Sequence, residues 1–215
     1  MFSDKIKQSQ KHSINSDFAA NGKVVSVLNF LEKYLPIFPE KHIICKEDDE
    51  WNLNEALFGF LDIYSRNFAF QFIPEYRYKH KSRPDLGIKE VKSNKLGFFY
   101  DQQAVHFFDI ECKRLYDNNK SKQYVSGKTG GIQRFKENRH GVDLPQSAMI
   151  GYVEIENFSF WHNKVNSWIS DKEEHLQMLD NKNTAKLKST HQRQNSEKTS
   201  IELTHFWLKM EFIDN

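Results

Sequence analysis

The nine residues Phe107 to Leu115, FFDIECKRL, decide how this chain folds, because two acids and a lysine alternate in them with apolar residues. Side chains two apart in a strand point the same way, so Asp109, Glu111 and Lys113 share one face while Phe108, Ile110 and Cys112 share the other. The apolar face requires a core; the charged face requires partners or water. The pattern predicts a strand over 104–114, preceded by a second over 84–91 and a third over 68–78. In the third, FAFQFIPEYRY, Phe68, Phe70 and Phe72 alternate with Ala69, Gln71 and Ile73, and Pro74 ends or kinks the strand at a sheet edge. Polar turn residues around Ser93 to Lys95 and Asp101 to Gln103 separate the last two, so the three form a meander.

Helical spacing flanks this meander. Val24, Val27, Leu28, Leu31 and Leu35 lie at i, i+3, i+4, i+7 and i+11, which predicts a helix over 23–35 ended by Pro36 and Pro39. Leu53, Ala56, Leu57, Phe60, Leu61 and Tyr64 predict a second over 50–66, with Asp48 or Asp49 to cap it. Downstream, a loop with Gly127, Gly130 and Gly131 leads to a short helix over 132–138, a strand over 148–156 and a helix over 158–179. Residues 181–200 are polar, with five basic groups against one acidic, and read as a mobile loop or hairpin tip. A strand over 201–212 closes the chain, with Ile201, Leu203, His205, Trp207 and Lys209 on one face. The order gives an α/β or α+β protein, a mixed central β-sheet flanked by helices.

The 215 residues suit one domain over 1–215, with 1–20 a flexible or loosely packed N-terminus. Hydrophobic residues at 38% and 18 phenylalanines are enough to close a core, which excludes global disorder. No apolar run approaches the roughly 20 residues of a membrane span. The polar start lacks the apolar stretch of a secretory signal, and Cys45 and Cys112 form no disulfide framework, so the reading is a cytoplasmic protein with reduced thiols and no membrane partner. Charge is divided along the chain: residues 36–76 carry a net −5, whereas residues 77–139 carry a net +8. A phosphate-bearing partner would approach that basic third, although scattered Lys and Arg are equally a solvated surface.

An acid and a lysine on one strand face suit phosphodiester hydrolysis, the acid binding a divalent cation and the lysine orienting water and stabilising developing negative charge. One acid is too little for a hard cation. Asp85 opens a strand that can pair with 104–114, and Leu86 and Ile88 point into the core, so Asp85 is placed to supply the second.

Pro84-Asp85, followed after 25 residues by Glu111-Cys112-Lys113, resembles the PD-(D/E)XK motif of the restriction-endonuclease-like nuclease superfamily. The resemblance implies a restriction-endonuclease-like core and metal ligation by Asp85, Glu111 and the backbone carbonyl of Cys112. It implies that Lys113 is the catalytic lysine. Magnesium would be the cofactor, with manganese able to substitute, and the activity that of a metal-dependent endonuclease on DNA in restriction, defence or repair. RNA is the alternative nucleic acid and a homodimer a compatible assembly. Many members add a glutamate from the preceding helix. At 100° per residue Glu50 lies on the inward stripe with Leu53 and Leu57 while Glu55 falls nearly opposite, so Glu50 is the candidate; an acid in a first turn also simply favours the helix dipole. Residues 50–57, EWNLNEAL, together with Gly131 to Phe135, Met149 to Tyr152 and Ser189-Thr190-His191, look like small bacterial members of this superfamily.

Other motifs carry less. Gly127-Lys128-Thr129 is no P-loop, because Lys122 stands where its first glycine is needed. His162-Asn163 lacks the ββα-metal surroundings of an HNH nuclease, and the His and Cys spacing suits no zinc site. The Gln-x-x-x-Tyr signature of exonuclease-type relatives is absent, since Gln123 and Tyr124 are adjacent. His191, His205 and Trp207 read as core or sheet-face residues. Arg134 is placed to contact phosphate or to form a structural salt bridge. Two further readings stand beside the nuclease: a nucleic-acid-binding or assembly protein without turnover, and a salt-bridged sheet face.

Overall fold

A computed structural model describes residues 21–43, 45, 48–76, 83–91, 93–94, 97–98, 105–182, 184–194, 196 and 199–211. The expected N-terminal segment 1–20 and the turn over 101–103 lie outside them. In chain order the elements are helix α1 over 21–34, α2 (Phe38–Lys41), α3 (Glu50–Ser65), β1 (Phe70–Pro74), β2 (Leu86–Glu90), a short pair β3 (Ser93–Asn94) and β4 (Gly97–Phe98), and β5 (His106–Leu115). Then follow α4 (Gly131–Lys136), β6 (Gln146–Val153), α5 (Phe158–Trp168), β7 (Gln177–Asn181), β8 (Thr184–Gln192) and β9 (Ser200–Lys209).

Seven strands form one mixed sheet in the order β1-β2-β5-β6-β9-β8-β7. The meander β1-β2-β5 is antiparallel, β5, β6 and β9 run parallel, and β8 and β7 return antiparallel at the far edge. Parallel strands are covered on both faces. On one face the stripes of α1 and α3 (Val27, Leu31, Leu53, Leu57, Leu61) pack on Ile88, Phe108, Ile110, Cys112, Ile150 and Phe206. Phe30 adds an aromatic cluster there, with ring centroids 4.7 to 5.6 Å from Tyr34, Phe68, Phe70 and Phe72. On the other face Tyr124, Ile132, Phe135, Trp161 and Val165 cover Met149, Leu187, Leu203 and Trp207. Each such side chain, fully buried, contributes about 1.5 to 3 kcal/mol of hydrophobic transfer.

Four expectations change. Pro36 and Pro39 do not stop helical structure; each opens a new short turn, Leu35–Ile37 and then α2, because a first-turn position needs no N–H donor. The helix expected over 158–179 ends at Trp168, where Ile169 turns extended. Asn166 clasps both Leu176 N–H (2.8 Å) and Leu176 C=O (3.1 Å), and the Asp171 side chain caps a separate turn at Lys172–Glu174. The segment 181–200 is not a loop throughout: its middle is strand β8, with Ala185, Leu187, Ser189 and His191 buried in alternation, and β8 pairs antiparallel with β9 as a hairpin. Its lysines pair outward, Lys186 with Glu32 at 2.5 Å and Lys188 with Glu202 at 2.6 Å, and so read as loop charges in the sequence. The last strand ends at Lys209 rather than at 212. Among the described residues no helix is long and apolar enough to cross a membrane.

Candidate active site

The site forms where the sheet loses one strand. β2 begins at Leu86, opposite Ile110, while β5 continues to Leu115 with β6 along its other side. Residues 111–115 therefore face a gap on the β2 side. Asp85, the last residue before β2, turns its carboxylate into that gap and accepts the Cys112 N–H at 2.7 Å. The N–H and C=O of one strand residue project to the same side, so the Cys112 carbonyl faces the gap as well. The Asp85 carbonyl accepts Glu75 N–H at 2.8 Å, which ties this corner to the end of β1.

Glu111 and Lys113 project from β5 onto the face opposite the Phe108, Ile110 and Cys112 core, as strand alternation requires, and both are buried. Glu111 Oε1 lies 3.1 Å from Lys113 Nζ and accepts from an Arg134 guanidinium N–H at 2.6 Å. Glu111 Oε2 stands 3.0 Å from His140 Nδ1, yet the two are misaligned and neither makes a hydrogen bond there. Burial pushes the Glu111 carboxyl up, but Lys113, His140 and Arg134 outweigh it and hold the group at about 2.

Glu50 comes from the first turn of α3. Asp49 caps that helix through Asn52 N–H (2.9 Å), Arg114 donates to the Asp48 carbonyl (2.8 Å), and Tyr152 Oη lies 3.0 Å from Asn54 Oδ1. Arg114 is itself held by both carboxylate oxygens of Glu154. So anchored, Glu50 Oε1 accepts from Lys113 Nζ at 2.6 Å, while Glu55 is exposed on the outer side of the helix. Burial disfavours the Lys113 charge, yet Glu111, Asp85 and Glu50 together hold its pKa above the ordinary lysine range. For Asp85 the balance is reversed: burial and the Glu111 charge raise its carboxyl well above the usual range, and Lys113 and the Cys112 N–H offset this only in part. The Cys112 thiol points into the opposite core beside Tyr152, and burial pushes it up too, so only its backbone belongs to the site.

This donor set fits a hard divalent cation. Asp85 lacks enough positive charge, Glu111 Oε2 is a buried acceptor without a hydrogen bond, and the Cys112 carbonyl faces the same gap. Among the described residues no three His, Cys, Asp or Glu side chains gather around one point, so water and phosphate oxygens would complete the sphere, as is usual for magnesium.

The structure thus gathers Asp85, Glu111, Lys113, Glu50 and Arg134, with Arg134 in a salt bridge to Glu111. Two contributors had no sequence signal. His140 sits in a turn beside Glu111 that is held in part by Gly141 N–H, which donates to Asp109 Oδ2 at 2.7 Å. Gly141 has φ +58°, and a Cβ there would meet Ser147 Oγ at 2.8 Å, so the turn requires glycine. Asp109 shares the face of Glu111 and Lys113 but serves that turn and His106, 2.5 Å away, rather than the gap.

Compared with known proteins, the chain matches no family model, no curated protein and no solved structure.

Proposed function

We propose that the chain is a metal-dependent endonuclease that hydrolyses phosphodiester bonds in DNA. Asp85, Glu111 and the Cys112 carbonyl would hold magnesium, or manganese in its place. The observation that carries this reading is the meeting of Asp85, Glu50, Glu111 and Lys113 at the one stretch of β5 that β2 leaves uncovered. The chain order of helix, antiparallel meander, helix and parallel strand supports the restriction-endonuclease-like core that the resemblance implies.

A bound cation would polarise the phosphoryl group and acidify its water. Lys113, clamped between Glu50 and Glu111, supplies a fixed ammonium to orient the attacking water and to stabilise the charge of the pentacovalent transition state. Three surrounding carboxylates keep it protonated, so it acts as a charge and hydrogen-bond donor and not as the base. Cations elsewhere in 77–139 neutralise phosphates and set a salt-dependent affinity.

Plasmid nicking in magnesium, manganese or EDTA tests the reading. Lys113→Ala is expected to lower metal-dependent cleavage by on the order of 10² to 10³ while most DNA affinity stays. Wild-type protein that binds duplex, single-stranded or modified DNA without cutting it would instead be a nucleic-acid-binding or assembly protein. A Lys113→Ala variant that cuts at the wild-type rate would move any activity to another site.

A further inference from the structure

Glu111 Oε1 is the crowded atom of the site. It accepts from Arg134 at 2.6 Å and lies 3.1 Å from Lys113 Nζ, so both lone pairs of that oxygen face cations of the protein itself. Glu111 Oε2, which makes no hydrogen bond, offers a cation one oxygen at once; ligation through Oε1 as well requires one of these two cations to leave. Lys113 cannot: its side chain is 5% exposed and is held by Glu50 as well. Arg134 can. Its side chain is 21% exposed, it stands on the six-residue helix α4, and Glu111 is its only side-chain partner among the described residues. A guanidinium suits phosphate as well as carboxylate, since its planar fork bonds either through two N–H groups.

We propose that Arg134 is an exchangeable clamp on Glu111: in the free protein it occupies the carboxylate, and a substrate phosphate draws it off, opening Oε1 to the cation. The inference rests on the endonuclease reading above and adds an order of events, phosphodiester before full metal affinity. Arrival of the cation favours the same exchange, because a dication beside Glu111 repels the guanidinium toward the phosphate. By linkage the cation and the DNA then strengthen each other by the same factor.

The test is a titration of manganese into the full chain, read by the electron paramagnetic resonance signal of free ion, with and without a short phosphorothioate duplex. For wild type, manganese affinity is expected to rise about tenfold or more when the duplex is present. Arg134→Gln should bind manganese that tightly without DNA and show less than about a twofold further gain. Arg134→Lys, which keeps the charge but loses the fork, should fall between, and it keeps the test open if the glutamine variant does not fold. Arg139→Gln removes an equal charge paired to Glu137 and should retain the wild-type coupling, which separates exchange from general electrostatics. Wild-type affinity indifferent to duplex, or full coupling in Arg134→Gln, would overturn the clamp while leaving the metal site intact. Equal manganese binding by wild type and Asp85→Asn would overturn the metal site itself, and the clamp with it.

Discussion

Two polar clusters lie on the same face of this sheet, and they differ in how their charges close. In the one beneath α4 and the turn before β7, Trp207 Nε1 donates to Tyr124 Oη (2.9 Å), which lies 2.7 Å from His205 Nδ1. Ser189 Oγ is 2.7 Å from both His205 Nε2 and His191 Nε2, and His191 Nδ1 is 3.3 Å from Glu174 Oε2. Only one proton order satisfies this row. Tyr124 accepts from Trp207 and donates to His205 Nδ1; His205 Nε2–H donates to Ser189, whose hydroxyl donates to His191 Nε2; His191 Nδ1–H is left facing Glu174 at 3.3 Å without a hydrogen bond. The order needs both imidazoles neutral, and burial holds both below their ordinary pKa. The row ends at the rim in one ion pair, Glu174 with Lys136 at 2.5 Å. At the β5 gap Lys113 pairs with Glu50 and Glu111, Arg134 pairs with Glu111 as well, one buried carboxylate oxygen lacks a hydrogen bond, and Asp85 is pushed toward its neutral form. Each cluster holds a histidine Nδ1 that faces a carboxylate without a hydrogen bond, His191 at Glu174 and His140 at Glu111, so the difference lies in charge: the row is neutral up to its one rim pair. On the endonuclease reading proposed above, the gap cluster leaves an acceptor oxygen and a raised acid that an added cation would complete.

Replacing a carboxylate by its amide in each cluster should separate them. The larger effect belongs to Glu174→Gln. Burial pushes the Glu174 carboxyl up, but His191, Lys136 and Gln192 N–H hold it at about 2, against 4.5 in the unfolded chain. Because the folded pKa is depressed, its contribution is present above about pH 4.5 and is lost as pH falls through 2. Glu174→Gln strands Lys136 and His191, so unfolding stability at pH 7 should fall by about 2 to 3 kcal/mol with DNA cleavage unchanged. Chemical denaturation read by tryptophan fluorescence measures it; a loss below about 0.5 kcal/mol would mean that the row carries little.

The same row gives an acid response of its own. His205 must stay neutral, and its folded pKa lies well below the usual 6.5, so its support begins to fade as pH falls below about 6.5. Glu174 follows between pH 4.5 and 2. The stability difference between wild type and Glu174→Gln should therefore shrink across the second window. A difference constant from pH 5 to pH 2.5 would show that the Glu174 charge is not what the neighbouring groups hold.

The gap cluster was legible in sequence where a period carried it. Alternation placed Glu111 and Lys113 on one face of β5, and a 100° phase put Glu50 rather than Glu55 toward Lys113, where the structure finds it. In the closed row His191, His205 and Trp207 read as core or sheet-face residues, as the structure finds them, but the rest of the row was illegible. Ser189 and His191 lie in a strand whose inward residues include one large apolar side chain, Leu187, and whose outward ones are Thr184, Lys186, Lys188, Thr190 and Gln192, so hydropathy reads the segment as loop. Tyr124 is fully buried on a five-residue turn, too short for any period, and Glu174 is positioned by Asn166 and Asp171 contacts that end α5 early. Side-chain to backbone hydrogen bonds of that kind override the helical propensity on which the expected helix over 158–179 rested.

The smallest effect has the opposite sign and bears most directly on the contrast. Burial and Glu111 raise the Asp85 carboxyl well above its ordinary pKa, so the ionised form weakens the metal-free fold, increasingly as pH rises through the folded value. Asn at this position is neutral at every pH, is of nearly the same size, and its Oδ1 still accepts the Cys112 N–H. Asp85→Asn should therefore stabilise the protein in EDTA at pH 8 by on the order of 1 kcal/mol, a rise of about 2 to 4 °C in Tm, and the gain should vanish near pH 4. Magnesium sharpens the comparison: wild type should gain Tm with millimolar cation, whereas the variant, lacking one of two carboxylate ligands, should not. A glutamine that destabilises the closed row and an asparagine that stabilises the open gap would be the signature of a site that holds its charge for a ligand. An Asp85→Asn variant less stable than wild type at pH 8 would make Asp85 a fold-supporting acid like Glu174, and the contrast between the two clusters would fail.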